Sequence, residues 1–358
     1  MGLLDKKGLS VARKSSEVRT VEETLYDGQT LKQAFKSAEA ILEKRIDEVN
    51  ALNVFPVPDG DTGINMYLTL QSANEAVKEL STTSAAEIAS KAAMGALLGA
   101  RGNSGVIFSQ IMRGLAKGME MKEKFSAFDF AQALHNASDN AYKSIAEPVE
   151  GTILTVIREA SDMAMRQAKR GADLKQTIIA VASQAKDTVT RTPEMLPALK
   201  EAGVVDAGGK GLFYFFVGMK DFIAKKMSQV EVHQAAFARP GRAADELSYG
   251  FDLQFLIEGH NLPLTEIREK VTSMGESVLV VGDEKLIRVH VHTRQSQAIM
   301  DYCASKGSLK DIINDNMDLQ VKSFKNRRNG EKQSARSNGQ RRRGRNPRAQ
   351  LSNSAISP

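Results

Sequence analysis

The first two thirds of the chain carry apolar residues at intervals of three and four, the spacing of amphipathic helices. The clearest run follows Gln29, with apolar positions at Leu31, Phe35, Ala38, Ile41, Leu42, Ile46 and Val49. Comparable patterns predict helices over residues 64–80, 84–98, 106–116, 127–145, 151–168, 175–190 and 209–226. None of these segments has the short alternating runs typical of strands. Residues 21–228 are therefore predicted to form one all-α domain, an antiparallel bundle of about eight helices.

The pattern changes from helical spacing to alternation beyond residue 246. Alternating or β-branched runs predict strands at residues 249–258, 277–283 and 286–293, and a shorter one between residues 308 and 313. Helical spacing returns at residues 262–275 and 295–306. The resulting order, β-α-β-β-α-β, is that of small two-layer domains with a split βαβ arrangement. We therefore predict a multidomain chain in which a small α+β domain, residues 247–324, follows the helical domain.

Three segments lack both patterns. Residues 1–20 are polar and basic, and we interpret them as a flexible arm. Residues 229–246, which include Pro240 and Gly241, are interpreted as a linker. Residues 325–358 are rich in Arg, Asn, Gly and Ser and are predicted to be a disordered basic tail.

The formal net charge of +6 is carried by the ends of the chain. Residues 1–20 hold five Lys or Arg and two Asp or Glu, and the tail holds ten and one. Residues 21–324 are left with 34 basic and 40 acidic residues, a net charge of about −6. Binding of nucleic acid, anionic lipid or an acidic protein surface is therefore predicted only for the tail, through Arg341–Arg345; a solvated terminus is the simpler interpretation.

Composition indicates a globular cytoplasmic protein. The single cysteine, Cys303, excludes an internal disulfide and suits a reducing compartment; we interpret it as a small packed residue. No apolar run is long enough to span a bilayer, so no membrane span is predicted. His135, His233 and His260 have no motif around them and are interpreted as surface or structural residues.

The most informative stretch, Asn53–Asn65, lies between two predicted helices. Two prolines stiffen its approach, and Asp59 and Asp61 follow, separated only by Gly60. Carboxylates in this arrangement can point their oxygens at one hard cation, and the amides at the start of the next helix suit an anion. Metal plus phosphate is the first hypothesis, and an ordinary Asp/Gly turn is the alternative.

Three other turns interrupt helical sequence in the same domain: Gly99–Gly105, Glu147–Thr152 and Gly203–Gly211. Any one of them alone is best interpreted as a helix connection or cap. Four together are more suggestive, because alternate connections of an up-and-down bundle lie at the same end and can meet at one rim. The chain has no Walker A, GxGxxG or protein-kinase motif, so a phosphate site here would be of an all-helical type.

These turns, in this order, resemble the ATP-binding subunit of bacterial fatty acid kinase, whose N-terminal domain belongs to the dihydroxyacetone kinase L-subunit superfamily. The motifs that carry the resemblance are Asn50–Gly63, Gly99–Gly105, Gly151–Thr152 and Gly203–Gly209, within a match over roughly residues 23–320. The resemblance implies an eight-helix antiparallel barrel that holds ATP at one end through Mg²⁺.

The resemblance also implies roles for individual residues. Asp59 and Asp61 match the family's catalytic, magnesium-binding carboxylates, and Asn53 lies close to the place of a third ligand. The positions implied to contact the nucleotide are Thr62, Gly63, Asn65, Asn103, Ser104, Thr152, Asp206, Ala207 and Gly208. Ala207 stands where relatives have the proline of an Asp-Pro-Gly turn.

In that family the γ-phosphoryl of ATP passes to a fatty acid held by a separate carrier protein, which gives an acyl phosphate. Such a carboxylate is already ionised at neutral pH, so the reaction needs no general base. Full-length relatives continue into a further domain implicated in partnering the carrier, which the tail from Lys325 does not resemble. Two alternatives stay open: a dihydroxyacetone kinase L-type subunit, or a non-catalytic nucleotide-binding protein. A homodimer is a further expectation.

The second domain resembles the middle domain of fatty acid kinase, through Tyr249–Asp252, Glu258–Gly259 and Val289–Thr293. His290 and His292 alternate on a predicted strand, so both project from one face and can share a metal ion. Asp252 stands where the family usually has a cysteine. We therefore expect a second metal site, for Zn²⁺ or another metal, at these three residues; a polar strand face without metal is the alternative.

Overall fold

The computed structural model describes residues 24–227 and 250–322. The predicted arm at 1–20, the linker at 229–246 and the tail at 325–358 lie outside the described residues.

Eight long helices build the helical domain between residues 24 and 227. They are α1 (Gly28–Glu43), α3 (Thr62–Val77), α4 (Ala85–Gly99), α5 (Gly102–Gly118), α6 (Ala127–Ser144), α7 (Ile153–Lys169), α8 (Leu174–Met195) and α10 (Ala207–Met227). Two six-residue helices, α2 (Ile46–Ala51) and α9 (Pro197–Ala202), and two paired two-residue strands, β1 (Tyr26–Asp27) and β2 (Lys124–Phe125), complete it. The prediction of an eight-helix domain is confirmed. The short elements were missed because they span too few residues to show a period.

Seven of the long helices close into a ring, in the order α1, α3, α5, α6, α7, α8 and α10, and α10 packs back against α1. The core is apolar and includes aromatic contacts of Phe215 with Phe35 and Phe108. Small residues bring α5 and α6 close together, since a Cβ at Gly118 would overlap Ala133. The closed ring places the starts of several helices around a common rim.

Helix α5 begins earlier than the sequence predicted. Only Ala100 and Arg101 separate it from α4, and Gly102 is already helical in hydrogen bonding although its φ is +57°. Asn103 and Ser104 therefore belong to the first turn of a helix rather than to a loop. The glycines that suggested a longer break instead allow close packing at this helix start.

The second described range, residues 250–322, forms a two-layer domain. Its elements are β3 (Phe251–Glu258), α11 (Leu264–Thr272), β4 (Glu276–Gly282), β5 (Leu286–Thr293), α12 (Ser296–Ala304) and β6 (Ser308–Asn316). The strands pair antiparallel in the order β4-β5-β3-β6, and a helical segment follows at residues 317–322. The predicted β-α-β-β-α-β order is confirmed.

The two central strands, β3 and β5, are buried on both faces, as their alternate positions show. Positions 253, 255 and 257 of β3 and 287, 289 and 291 of β5 face helices α11 and α12 and form the core of the small domain. The opposite side, which we call the docking face, lies against the helical domain, and Leu279 and Val281 of β4 join the core of that domain. The docking-face residues used below are Asp252, Gln254, Leu279, Arg288, His290 and His292.

Candidate functional site

The acid turn, Asp59–Asp61, lies directly before α3. Gly60 has φ of +76°, a conformation that favours glycine, and the carboxyl groups on either side of it are close enough to interact. Asn53 is buried beside them, and its Nδ2 donates a hydrogen bond to Asp59 Oδ1. The structure thus brings the three residues predicted to hold Mg²⁺ into one cluster.

Asn50, at the end of α2, caps the start of α3. Its Oδ1 accepts hydrogen bonds from the N–H of Gly63 at 2.7 Å and from the N–H of Ile64 at 3.2 Å. A helix start offers about four N–H groups that lack partners within the helix, and Asn50 occupies two of them. The Gly63 amide is therefore engaged within the protein, and Thr62 is the residue of this helix start that faces the main cavity described below.

The environment of the acid turn disfavours two ionised carboxylates. Burial, and then the neighbouring Asp61, raises the pKa of Asp59 well above its ordinary value. Burial also raises the pKa of Asp61, although hydrogen bonds with Asp59 and Asn65 oppose this. A divalent cation between the two groups would reverse that preference, because an opposite charge at short range stabilises the ionised form. The acid turn therefore fits Mg²⁺.

The second turn, Gly99–Gly105, touches the first. Ser104 Oγ donates a hydrogen bond of 3.3 Å to Thr62 Oγ1. Gly102 packs against Asn65 of α3, since a Cβ at Gly102 would overlap Nδ2 of Asn65. The Asn65 side chain is in turn hydrogen-bonded to Asp61. The starts of α3 and α5 are therefore packed together with no space for a larger residue at Gly102.

The third and fourth turns each supply a helix cap. Thr152 Oγ1 accepts a hydrogen bond from Leu154 N–H at 3.3 Å and so caps α7. Asp206 precedes α10, and its Oδ2 accepts from Gly209 N–H at 2.6 Å. Burial raises the pKa of Asp206 to about 6, although the amides of Gly209 and Ile153 oppose this. Thr152 thus caps a helix, which is one of the two roles that the sequence suggests for it; the other is a contact with the nucleotide.

The four turns meet at one cavity of about 540 Å³, the main cavity. The predicted nucleotide-contacting residues that line it are Thr62, Asn103, Ser104, Thr152, Asp206 and Gly208. Gly63, Asn65 and Ala207 do not line it, since Gly63 packs against α2, Asn65 is bonded to Asp61 and Ala207 is buried. A polar rim of helix starts with hydroxyl groups suits phosphate oxygens.

Two other walls of the main cavity were not predicted. Apolar side chains form one of them: Phe55, Ile107, Ile145, Val149, Ile153 and Leu154. The small domain forms the other, through Thr272 and residues 275–279 at the start of β4. A cavity with convergent polar groups at one side and apolar side chains at another is typical of small-molecule sites.

A second cavity of about 480 Å³, the acid cleft, opens on the acid turn from another side. Ile64 and Asn50 line it with the three residues of the acid turn, and Leu319 and Gln320 of the small domain close it. Residues two positions apart on a helix point to nearly opposite sides, so Thr62 and Ile64 put the two cavities on different sides of the start of α3. The acid turn itself lines the acid cleft, and the main cavity begins at the next residue, Thr62.

Asp252, His290 and His292 form the histidine cluster on the docking face. One potential ligand atom from each residue lies within 4.8 Å of the others. His290 Nδ1 is 3.1 Å from Asp252 Oδ1, yet neither atom has a hydrogen bond of suitable geometry, and His290 Nε2 has none within the described residues. Buried polar atoms without partners are rare in folded proteins, so their presence here fits a metal ion.

The electrostatics of the histidine cluster agree with this. Burial, together with the neighbouring His290, lowers the pKa of His292 to about 4, so its imidazole is neutral as metal binding requires. Burial alone would raise the pKa of Asp252, but His290 and His292 outweigh it and hold the pKa below its usual value. Asp252 and His290 also influence the pKa of Asp61, so the cluster faces the acid turn.

The remaining histidines and the cysteine lie away from these cavities. Cys303 is fully buried in the core of the small domain, and burial raises the pKa of its thiol to about 12. Its interpretation as a packed residue is confirmed. His135 and His260 are exposed, as expected of surface residues, and His233 lies outside the described residues.

The sequence matches two domain families in the same order as the two structural domains. Residues 56–221 match the family described as DAK2 domain, and residues 248–324 match the family described as the FakA-like middle domain of fatty acid kinase. The chain therefore belongs to the DAK2-domain proteins and combines that domain with a FakA-like middle domain. This confirms the family resemblance inferred from the turns.

Individual relatives extend this assignment. The chain is 36% identical over 306 residues to Protein YloV of Bacillus subtilis (strain 168) and also to uncharacterized protein SSP1546 of Staphylococcus saprophyticus, and each alignment covers 81% of this chain and 55% of the relative. The chain thus spans about half the length of these curated relatives. A solved structure of dihydroxyacetone kinase from C. freundii in complex with AMP-PNP and Mg²⁺ is 17% identical with a TM-score of 0.43, covering 61% of this chain and 38% of that one.

Within residues 24–227 and 250–322, every helix is too short or too polar to cross a membrane.

Proposed function

We propose that this chain is the ATP-binding subunit of an Mg²⁺-dependent kinase that transfers the γ-phosphoryl group of ATP. The observation that carries the proposal is the meeting of four helix-start turns at the main cavity, where Thr62, the residue after the acid turn, is part of the lining. Membership of the DAK2-domain proteins supports the same class of function.

In this proposal Asp59 and Asp61, with Asn53 beside them, hold Mg²⁺, which when bound neutralises charge on the phosphate oxygens. Thr62, Asn103 and Ser104 donate hydrogen bonds to the phosphates from the helix starts of α3 and α5. Gly63 and Asn65 support that surface from behind. Gly63 does so by allowing α2 to pack closely, and Asn65 does so through its contact with Asp61.

Across the main cavity, Thr152, Asp206 and Gly208 bound the nucleotide site at the starts of α7 and α10. Ala207, between Asp206 and Gly208, is buried. The apolar wall that includes Ile107, Ile145 and Leu154 suits the adenine ring, since a planar aromatic base gains from contact with apolar side chains. The nucleotide would then lie in the main cavity, at the rim formed by the helix starts.

We propose a fatty acid bound to a separate carrier protein as the acceptor, with an acyl phosphate as product. The middle domain at residues 248–324 supports this choice, because its family description refers to fatty acid kinase. The acid cleft is a suitable route for the acceptor carboxylate, because Asp59 and Asp61 line it and it opens on another side of the start of α3 than the main cavity. A dihydroxyacetone kinase L-type role would use the same nucleotide site with a different partner.

The decisive experiment compares wild type with the double variant Asp59→Asn plus Asp61→Asn. We expect Mg²⁺-dependent ATP binding and ATP turnover with a fatty acid-loaded carrier, and at least a thousandfold lower turnover in the variant. Asp139→Asn removes an exposed carboxylate of α6 and is the matched control. Retained turnover in the double variant would sink the assignment of these residues. Turnover only with a dihydroxyacetone-bearing partner would favour the alternative acceptor.

We also propose that the histidine cluster binds one transition-metal ion, for which Zn²⁺ is suitable. Its support is the convergence of three buried or half-buried potential ligand atoms within 4.8 Å, among which His290 Nε2 has no hydrogen bond within the described residues. Metal content of the purified protein, measured by inductively coupled plasma mass spectrometry, should be one ion per chain and should fall to none in His290→Ala. Cys303→Ala, whose thiol lies in the small-domain core, should leave it unchanged. Equal metal content in wild type and His290→Ala would refute the site.

We also propose two partners besides the carrier. A homodimer is testable by sedimentation. Binding of nucleic acid or an anionic surface by the tail at residues 325–358 is testable by salt-dependent RNA binding before and after the tail is removed.

A further inference from the structure

The small domain contacts the second turn through two buried polar side chains that neither motif nor family description singled out. Both lie on the docking face, Gln254 on β3 and Arg288 on β5. Gln254 is 4% exposed and Arg288 is 2% exposed. Long polar side chains are rarely buried so completely without a specific partner, so the identity of their partners matters.

Gln254 is bonded to the start of α5. Its Oε1 accepts a hydrogen bond of 2.9 Å from the N–H of Gly102, in a fully buried setting. Its Nε2 donates to Asp252 Oδ2 at 2.7 Å, which fixes the orientation of the amide. The Gly102 N–H is one of the helix-start donors, and the next two residues, Asn103 and Ser104, line the main cavity.

Arg288 is bonded to the end of α4. Its guanidinium donates to the carbonyl of Ala100 and, at 3.5 Å, to the carbonyl of Leu98. A positive charge at a helix C-terminus stabilises the carbonyl groups that have no partner there. Burial lowers the pKa of Arg288 to about 10, which still leaves the side chain charged at neutral pH.

The two bonds fall on either side of the short break between α4 and α5. Arg288 holds the last carbonyls before the break and Gln254 holds the first amide after it, while Asn65 closes the opposite side of Gly102. The backbone of the second turn is thus fixed by two domains at once. A displacement of the small domain would release the turn even if every residue of the helical domain stayed intact.

We propose that Gln254 and Arg288 are positioning residues, through which the small domain holds the Gly99–Gly105 turn in the conformation that binds the phosphates of ATP. The proposal rests on the proposed function, because it assigns these residues a role in that same nucleotide site. Neither side chain lines the main cavity, so both act through the turn.

The test uses the full chain with Gln254→Met, which keeps the length of the side chain but removes the acceptor for Gly102 N–H. We expect about a tenfold rise in the Kd for ATP with Mg²⁺, measured by titration calorimetry, because one buried donor loses its partner. The matched control is Arg113→Met. It removes the hydrogen bond of Arg113 to Gly282 O, a contact between the same two domains at the far end of α5.

A role in domain docking alone would give equal changes in both variants, and that result would overturn the proposal. The proposal expects the Kd of Arg113→Met to stay within about threefold of wild type. Hydrogen exchange provides the second readout: in Gln254→Met the amides of residues 101–105 should exchange faster, while those of α7 and α8 should not. Unchanged exchange at residues 101–105 would also overturn it.

Arg288→Lys keeps the inference testable if Gln254→Met fails to fold. Lysine retains the charge but has a single nitrogen in place of the planar fork that reaches two carbonyls. We expect a Kd raised by about threefold to tenfold and faster exchange at the same amides. A wild-type chain that binds no ATP would contradict the proposed function instead, whereas wild-type binding with unchanged Kd in both variants would contradict only the positioning role.

Discussion

The two domains contribute to the candidate site in different ways. The helical domain supplies residues that are adjacent in sequence, such as Asp59, Asp61 and Thr62, at turns that precede helices. The small domain supplies alternate positions of paired strands, such as Gln254 and His290, which face each other across β3 and β5. A turn carries its chemistry in one short motif, whereas a sheet face assembles it from distant parts of the chain. The first kind of contribution is visible in a sequence and the second becomes visible in a fold.

Substitutions are therefore expected to have different consequences in the two domains. Changing one residue of a turn alters the backbone of its neighbours, so chemistry and local structure change together. On a strand, neighbouring residues point to opposite faces, so chemistry and core packing can be changed one at a time. Three substitutions test this contrast.

The largest effect is expected at Gly102, where the two domains meet. In Gly102→Ala the Cβ would overlap Asn65 Nδ2, and the residue would have to keep a φ of +57°, which costs about 1 kcal/mol or more for a non-glycine residue. Asn65 would be displaced from Asp61 and the second turn from the main cavity. Since misplacement by about 1 Å can cost a hundredfold in function, we expect ATP affinity to fall at least a hundredfold by calorimetry.

Gly171→Ala is the control for the backbone component of that effect. Gly171 also has a positive φ, of 78°, but a Cβ there would meet no atom within 4 Å. It lies between α7 and α8, away from both cavities. Its substitution should lower stability without changing ATP affinity. An equal loss of affinity in the two variants would show that a general loss of stability, rather than the geometry of the second turn, is responsible.

The second effect is expected at Asp206, a single side chain that both caps the start of α10 and lines the main cavity. The pKa of Asp206 is raised to about 6 in the folded protein, above its ordinary value of 3.8, because the group is buried. The native state therefore retains a proton that the unfolded chain releases, and the stability contributed by this group falls as the pH rises from about 4 to about 6. At pH 7 the cost of the ionised group is up to about 3 kcal/mol.

Asp206→Asn removes this cost and can still accept the Gly209 N–H. In urea unfolding without nucleotide, the free energy of unfolding of the variant should increase relative to that of wild type by up to about 3 kcal/mol between pH 4 and pH 7. Asp129→Asn should show the opposite trend. Burial would raise the pKa of Asp129, but Lys122 and Ser126 outweigh it and lower the pKa, so the wild-type group stabilises most at neutral pH and loses that advantage on acidification. If the stability difference from wild type changed with pH in the same direction for both variants, the opposite pKa shifts of Asp206 and Asp129 would be contradicted.

Sequence information was sufficient for the helical domain and for its turns because both follow from short-range rules. The three- and four-residue spacing predicts the eight long helices, and the motif around Asp59 predicts a metal site from neighbouring residues alone. The same rules misplaced details. They predict a loop at Gly102, where α5 begins, since glycines usually interrupt helices. The capping of Gly63 by Asn50 depends on how α2 packs, which no local pattern shows.

The contribution of the small domain could be predicted only in part. Alternation put His290 and His292 on one face of a strand, and the structure places Asp252 opposite His292 on the neighbouring strand. Gln254, Arg288 and the cavity wall at residues 275–279 depend on how two domains pack together. Polar residues inside an apolar strand were the available signal, because a buried strand face without a partner would favour apolar residues.

The smallest effect is expected for Val289→Ala, which tests whether the two faces of β5 are independent. Val289 is fully buried in the small-domain core, between Arg288 and His290 in sequence but on the opposite face. Removing two methyl-sized groups should cost about 2 kcal/mol of the free energy of unfolding. ATP affinity should stay within about threefold of wild type, in contrast to Arg288→Lys one residue away. Urea unfolding and calorimetry on the same preparations measure both quantities.

Val181→Ala, an equally buried valine of α8 in the helical core, is the matched control for stability. If the two valine variants lose similar stability and neither loses ATP affinity, packing in both cores is separable from the nucleotide site. A fall in affinity for Val289→Ala alone would mean that the core of the small domain, and not only its docking face, determines the geometry of the second turn. In that case a strand would resemble a turn in this respect, and the contrast between the two domains would lie in the number of residues involved rather than in their independence.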